Sequence, residues 1–295
     1  MPINYTKMNS QGNDFIIIDI VTEVFEETHE NITKICSREN IGCDQLLLIN
    51  TSNPGKVACK IYNSDGTSAC QCGNGLRAIM LYLNKKFSIT ESTIKVCGKD
   101  YNAKIIDRHK NKISVDLGKP IFFTEQVDGL KPYKGEAVDV GNKHFVIWGY
   151  DQGEENVVSP IYSEDLDCLS EKLNELQSKY NLTFILDGDL KGEKSFPILE
   201  ENNFMRIKVK ERGAGWTKSC GSGAIAAAAL ALDTYYQTES HYGAPLEEIE
   251  EGYYDIQSPI IVEQEGGVLE VHHDNSGSLK LVGPSEFEHD GVWDG

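Results

Sequence analysis

The sequence predicts an α+β fold of two pseudo-symmetric halves, each a mostly antiparallel sheet or barrel wrapped around a buried central helix, with the active site in the cleft between them. Three observations point there. Short strand-like runs separated by Gly, Asn and Asp turns dominate the chain. The run Ala224-Ile-Ala-Ala-Ala-Ala-Leu-Ala-Leu232 carries no charge before Asp233, and a helix apolar on every side is normally covered on every side. Landmarks also recur in one order. Gly12-Asn13 and Gly141-Asn142 precede apolar strands, Gln45 and Asn181 precede two more, and Cys72-Gly-Asn-Gly and Cys220-Gly-Ser-Gly each open a helix. Three ordered matches argue for two related halves.

Taken in order, 15–21 (Phe-Ile-Ile-Ile-Asp-Ile-Val) reads as a buried strand and 27–36 as a polar helix. Segments 45–50 and 57–62 are strands, and Asn63-Ser-Asp-Gly-Thr is a turn by its residue chemistry. A helix runs from Gly73 to about Lys86 with Leu76, Ile79, Met80 and Leu83 on one face. Strands follow at 93–96, 101–106 and 112–117, then a link at 118–135 with two prolines and three glycines. Beyond it come strands at 137–140 and 145–148, an acidic loop, a helix at 163–179, a strand at 182–186 and a polar loop at 187–203. Met205-Arg-Ile-Lys-Val alternates as a half-buried strand. After the apolar helix, 254–263, 268–272 and 279–282 read as antiparallel strands. The halves are then 1–118 with 278–295, carrying Cys72, and 119–277, carrying Cys220.

Composition narrows the function. At 295 residues there is room for two cores. A formal net charge of −18 weighs against nucleic acid and anionic membranes as partners, so a small anion would have to bind through local donors. No apolar signal-like core follows Met1, and the longest apolar runs fall short of the roughly 20 residues of a membrane span. A cytoplasmic protein is expected, and the Asn-x-Ser/Thr matches at Asn4, Asn31, Asn50 and Asn181 are then chance. Eight cysteines stand at 36, 43, 59, 70, 72, 97, 168 and 220, and free buried thiols are expected for most. Cys70-Gln-Cys72 has no downstream Cys-x-x-Cys or His-x-His partner, so no metal is expected.

Two helix N-termini, each with a cysteine at its edge, suggest chemistry. A small carboxylate between them would accept N–H bonds from both. Cys72 and Cys220 would flank the adjacent carbon, one thiolate removing a proton while the opposite thiol returns one, which inverts the centre. The helix-end charge is worth up to ~2 kcal/mol. At about 1.4 kcal/mol per pKa unit it would take a thiol from ~8.5 to roughly 7. Two facing thiols could also join as a disulfide when the cleft is empty.

Lys7-Met8 with Gly12-Asn-Asp-Phe15, Asp44-Gln45, Asn63-x-Asp65-Gly66 with Cys72-Gly-Asn-Gly-x-Arg77, Gly141-Asn-x-His144, and Glu211-Arg-Gly-x-Gly with Cys220-Gly-Ser-Gly resemble the diaminopimelate epimerase family over nearly the whole chain. The resemblance implies a cofactor-independent isomerase that interconverts LL- and meso-2,6-diaminopimelate for lysine and peptidoglycan synthesis, with homodimerisation as a further implication. It implies Cys72 and Cys220 as the base/acid pair, with His144 and Glu211 tuning the thiols. Asn13, Gln45, Asn63, Asn142, Asn181, Glu211 and Arg212 become substrate-binding positions, and Gly73-Asn74 and Gly221-Ser222 the carboxylate cradle. Amides can both donate to a carboxylate and accept from an ammonium, and Arg212 can hold a distal carboxylate bidentately. Arg77 reads as structural. Trp216, Ala78, Ile225 and Ser10-Gln11 depart from the family pattern, and Trp216 and Gln11 bear on substrate preference. The alternatives are a racemase of another amino acid with the same two thiols, and a thiol redox or metal-binding protein built on Cys70 and Cys72.

Overall fold

In the computed structural model, which describes residues 2–125, 127, 130, 133–149, 161, 166–186, 203–241 and 259–295, the chain divides into two units. One is Met1–Leu117 with Leu281–Gly295, the other Gly118–Lys280.

The first unit begins with a hairpin. Strand β1 (Ile3–Ser10) turns through Gln11 and Gly12, both at positive φ (60° and 88°), into β2 (Asn13–Asp19). Two successive residues at positive φ suit the right-handed twist of a two-residue hairpin. Helix α1 (His29–Cys36), capped by Thr28, leads to β3 (Gln45–Asn50), which runs parallel to β2 with Phe15 opposite Gln45. Strand β4 (Lys56–Asn63) is antiparallel to β3, and the short β5 (Ser68–Ala69) hangs on its end. Helix α2 (Gly73–Phe87) follows, then β6 (Glu91–Val96) parallel to β4, β7 (Lys99–Asp107) and β8 (Lys112–Gly118).

The second unit repeats this wiring step by step. After β9 (Ile121–Phe123) come β10 (Tyr133–Asp139) and β11 (Lys143–Gly149), an antiparallel pair like β1 and β2. Helices α3 (Leu166–Lys172) and α4 (Asn174–Gln177) precede β12 (Asn181–Leu186), parallel to β11 with His144 opposite Asn181. Strand β13 (Phe204–Glu211) is antiparallel to β12 and carries β14 (Gly215–Thr217) at its end. Helix α5 (Gly221–His241) comes next, then β15 (Ile260–Gln264) parallel to β13, and β16 (Gly267–His273). Each unit thus shows the same six strand pairings with its long helix inserted at the same place. Strand β17 (Leu279–Pro284) pairs with β8, and β18 (Glu286–Trp293) returns to β1.

Each long helix is the axis of its unit. Strands β1, β2, β6, β7 and β18 pack on α2, whose residues Gly73 to Leu83 are all buried. Strands β10, β11, β12, β13, β15 and β16 pack on α5, where every residue from Ala224 to Leu232 is at most 6 % exposed. The absence of charge before Asp233 is explained by that enclosure. Alanine on so many faces lets the strands approach the helix closely.

Several expectations change in detail. The helix expected at 163–179 is two pieces broken at Leu173, whose φ of −103° and ψ of 18° are not helical. The 118–135 segment contains β9, which pairs with β10. Strands β1 and β18 carry no clean apolar alternation, because β18 lays mostly exposed residues along β1. The acidic loop, the polar loop at 187–202 and the start of the strand expected at 254–263 lie outside the described residues. No helix among the described residues is long and apolar enough to cross a membrane.

The cysteines also differ from expectation. Cys70 and Cys97, read as free thiols, form a disulfide with a Cα–Cα distance of 5.3 Å, joining the approach to α2 with the β6–β7 turn. Both are exposed, and their separation of 27 residues gives no hint that they meet. Cys168 is exposed too, whereas Cys36, Cys43, Cys59 and Cys220 are buried free thiols.

Because α5 is covered all round from Ala224 to Leu232, a larger side chain there has nowhere to go. Ala228→Leu should destabilise the protein by about 1–3 kcal/mol in denaturant melts. Val24→Thr, at a position 81 % exposed, should stay within about 0.5 kcal/mol of wild type. Equal midpoints for the two variants would contradict the enclosure.

Candidate active site

In the first unit Cys72 is the N-cap of α2. Its backbone is extended (φ −151°, ψ 102°) and its Sγ accepts the Gly75 N–H at 3.3 Å. An N-cap side chain usually offers oxygen for this bond. Sulfur takes that place here, so capping the helix also fixes where the thiol sits. The Sγ lies 3.9 Å from Asn13 Oδ1, which accepts from Asn74 Nδ2 at 3.4 Å.

Asn13 is held from behind by charge. Its Nδ2 donates to Asp44 Oδ2 at 3.0 Å, and Arg38 bridges Asp44 and Asp14 at 2.7 and 2.6 Å. Buried Lys7 closes the network on Asp14 and on the Gly42 carbonyl. Burial would raise the Asp14 carboxyl, but hydrogen bonds from Arg38 and Lys7 and their charges outweigh it and hold it well below the usual range. Gln45 and Asn63 are register partners on β3 and β4, joined by Gln45 Nε2 donating to Asn63 Oδ1 at 2.9 Å. Gln45 Oε1 is buried with no hydrogen-bond partner among the described residues.

The second unit uses the same frame with different side chains. Cys220 stands just before Gly221 at the start of α5 and is 4 % exposed. Gln264 grips its backbone, accepting the Cys220 N–H at 2.7 Å and donating to its carbonyl at 3.4 Å. A relay runs back from the thiol. Cys220 Sγ lies 3.4 Å from Ser222 Oγ, Ser222 Oγ 2.8 Å from His144 Nε2, and His144 Nδ1 2.7 Å from Thr183 Oγ1. Asn142 Nδ2 donates to Ser222 Oγ at 3.5 Å, and Asn181 Nδ2 lies 3.5 Å from His144 Nε2. Gly223 allows this closeness: a Cβ there would stand 2.7 Å from Val209 Cγ2 and 3.4 Å from His144 Cε1.

Electrostatics separates the residues. Burial, then the Arg212 charge, pushes His144 down to about 3, so the imidazole is neutral at ordinary pH. Burial pushes the Cys220 thiol well above its ordinary value, and the Glu211 carboxylate, hydrogen-bonded to it, adds to the rise. The Ser222 and Gly223 bonds oppose this without reversing it. A helix end was expected to lower the thiol towards 7. Desolvation and the adjacent carboxylate override it at Cys220. Both Cys72 and Cys220 are free thiols.

The other expected residues divide. Asn13, Asn74 and Cys72 meet, as do Gln45 and Asn63, and Asn142, His144, Asn181, Glu211, Ser222 and Cys220. Gly73 and Gly221 supply the first helical residues. Arg212 is exposed and tied in by its backbone N–H to Asn181 Oδ1 at 2.9 Å, while its guanidinium has no hydrogen bond or ion pair among the described residues. Trp216 donates to Asp167 at 2.8 Å and packs on Phe184. Cys70 is bonded to Cys97 rather than available beside Cys72, and no cluster of three metal-ligating side chains occurs among the described residues. Thr183 and Gln264 were missed. Thr183, a lone hydroxyl in an apolar strand, carried a signal, whereas Gln264 sits 44 residues from Cys220 with none.

Comparison with known proteins bears on the family and the fold. The sequence profile of the family described as Diaminopimelate epimerase matches residues 5–123. A diaminopimelate epimerase of Pelagibacter ubique is 31 % identical over 252 residues, spanning 78 % of this chain and 84 % of its own. One from Vesicomyosocius okutanii is 29 % identical over 310 residues, spanning 99 % and 98 %. Among solved structures, a predicted epimerase from Pseudomonas aeruginosa superposes with a TM-score of 0.67 at 12 % identity over 99 % of both chains. A hydroxyproline epimerase from Agrobacterium vitis gives 0.63 at 10 % identity over 99 % of this chain and 91 % of that one. These two likenesses are of fold. The relatives, together with the family profile, identify the chain as an isomerase that belongs to the diaminopimelate epimerase family.

Proposed function

We propose that this enzyme interconverts LL- and meso-2,6-diaminopimelate by proton transfer at Cα, with Cys72 and Cys220 as the two acid/base groups and no cofactor. One observation carries the reading: a duplicated unit presents, twice, a free thiol at the start of its buried helix, with an asparagine from the corresponding hairpin close to it in one unit (Asn13) and joined to it through Ser222 in the other (Asn142). Inversion needs a base for one face of the carbon and an acid for the other, and a duplicated thiol supplies both. The first-turn N–H groups at Gly73-Asn74 and Gly221-Ser222 suit the α-carboxylate. Gln45 Oε1, a buried acceptor with no protein partner among the described residues, suits an ammonium. Arg212, exposed and unpaired among the described residues, suits a distal carboxylate.

Glu211 and His144 have separate tasks in this reading. The Glu211 carboxylate, hydrogen-bonded to Cys220, accepts the thiol proton when Cys220 must act as base. Neutral His144 orients Ser222, which in turn holds the thiol. A cytoplasmic location belongs to the same proposal, as does a homodimer.

The decisive experiment is incubation with LL-diaminopimelate in D2O without pyridoxal phosphate or metal, which should put deuterium at one Cα and yield the meso isomer. Cys72→Ala and Cys220→Ala should each lower kcat/KM by roughly 10³-fold or more. Normal turnover in either variant would sink the two-base mechanism, and exchange only with another amino acid would point to the racemase alternative. Arg212→Met should raise KM by roughly 10–100-fold with a smaller change in kcat, the loss of a charge-assisted pair.

A pH test follows for His144. Its folded value of about 3 lies below the ordinary 6.5, so the unfolded chain takes up a proton that the folded chain refuses. The stability it contributes is full above 6.5 and is lost as pH falls from there towards 3. Over that window wild type should lose about 1.4 kcal/mol per pH unit more than His144→Gln in denaturant melts. Parallel curves would mean that His144 is not buried neutral.

A further inference from the structure

Arg77 lies five residues after Cys72 in α2 and is 0 % exposed. Its Nη2 donates to Asn74 Oδ1 at 2.7 Å, and both Nη atoms donate to Gln11 Oε1 at 3.3 Å. Those acceptors are neutral amides. Among the described residues no carboxylate pairs with the guanidinium, and its Nε–H is buried with no hydrogen-bond partner. A lone buried cation is expensive unless an opposite charge is close.

Asn74, which Arg77 holds, donates in turn to Asn13 Oδ1 at 3.4 Å, and that oxygen lies 3.9 Å from Cys72 Sγ, so two side chains link the guanidinium to the thiol. Burial pushes the guanidinium down to about 9, and a thiolate at Cys72 acts to raise it again. The side chain stays cationic at neutral pH, and the coupling works both ways: a thiolate that favours charged Arg77 is itself favoured by it. Among the described residues, ionisable groups on the strands packed around α2 are engaged as follows. Cys59 of β4 is a fully buried thiol, itself pushed up by burial and then by the Cys72 charge. Lys7 of β1 and Asp14 of β2 bond one another, with Arg38 completing that network. Lys95 of β6 faces Asp100 at the surface, and Tyr101 of β7 donates to the Cys70 carbonyl. Asp290 of β18 pairs with Lys86 near the far end of α2.

We propose that Arg77 is a positioning residue for the proton transfer: the built-in counter-charge of the Cys72 thiolate, which also ties the first turn of α2 to the β1–β2 turn through Asn74 and Gln11. The inference rests on the reading of Cys72 as a base and gives that base its source of charge. A purely structural Arg77 would brace Gln11, held at a φ of 60°, and leave the thiol's titration alone.

The test reads the thiol directly. Wild type and Arg77→Met are treated with iodoacetamide across a range of pH, and the rate of Cys72 modification is followed by peptide mass spectrometry, with exposed Cys168 as internal control. The Cys72 midpoint should move up by about one unit in Arg77→Met, so that modification below the midpoint slows about tenfold while Cys168 is unchanged. Coincident Cys72 midpoints would overturn the proposal. Where Arg77→Met does not fold, the unaltered chain is compared with Cys72→Ser. The stability difference between them should grow as pH rises through the thiol's titration, because a thiolate favoured in the folded state binds fewer protons than the unfolded chain. A difference that is flat or shrinks overturns the proposal. Since neither readout involves substrate, failure here is distinct from failure of the epimerase reading, which would appear as turnover in Cys72→Ala.

Discussion

The candidate site depends on one constraint: each unit buries a long helix inside its strands, and the start of such a helix must be satisfied by the protein itself. A covered helix cannot leave its first N–H groups to bulk water. Cys72 meets this need with its sulfur, accepting the Gly75 N–H. At Cys220 the surrounding polar groups are Gln264 on the backbone and Ser222 beside the thiol. The reactive atoms are therefore fixed by the same bonds that finish the helices. Glycine completes the arrangement, since a Cβ at Gly223 would force Val209 away and press on His144.

A shared frame does not make the two thiols alike. Burial and Glu211 together keep the proton on Cys220, whereas on our proposal the buried Arg77 cation favours a charged Cys72. On the proposed mechanism this difference gives a resting enzyme with its proton stored at Cys220 and its base at Cys72. Reversal then requires the Cys220 proton to have somewhere to go, and Glu211 is the adjacent acceptor. Two symmetric thiols would compete for the same role. Unequal neighbours remove the competition without changing the backbone that presents them.

Much of this was legible in the residues. The uncharged run ending at Asp233 announced a helix covered on all sides, and the repeated amide and Cys-Gly-x-Gly landmarks announced the duplication that the strand pairings now repeat in full. Local composition could not reveal partnerships across the sheet. Nothing around Cys70 or Cys97 marks them as a pair, and β18, rich in charge, becomes a strand only because β1 offers it a ladder. Gln264 is invisible for the same reason. The lowered thiol expected at Cys220 failed on energetics: a helix end contributes at most ~2 kcal/mol, less than full burial beside a carboxylate costs a thiolate.

The acidity of the chain sharpens the role of the cations at the candidate site. With a formal net charge of −18, the long-range field repels an anion, but salt screens that field beyond roughly 8 Å. Binding is then decided by charges at the site. Of the cations among the candidate-site residues, Lys7 and Arg38 are spent on Asp14 and Asp44, whereas Arg77 in one unit and Arg212 in the other have no carboxylate partner among the described residues. One is buried five residues after Cys72; the other is exposed. Arginine suits the buried position for a physical reason. Its fork spans Gln11 and Asn74 together, and it keeps its proton where a buried lysine readily loses one. On the proposed mechanism the cation must persist out of water as a counterweight to a charge that comes and goes with each proton transfer, and a guanidinium meets that demand where an ammonium would not.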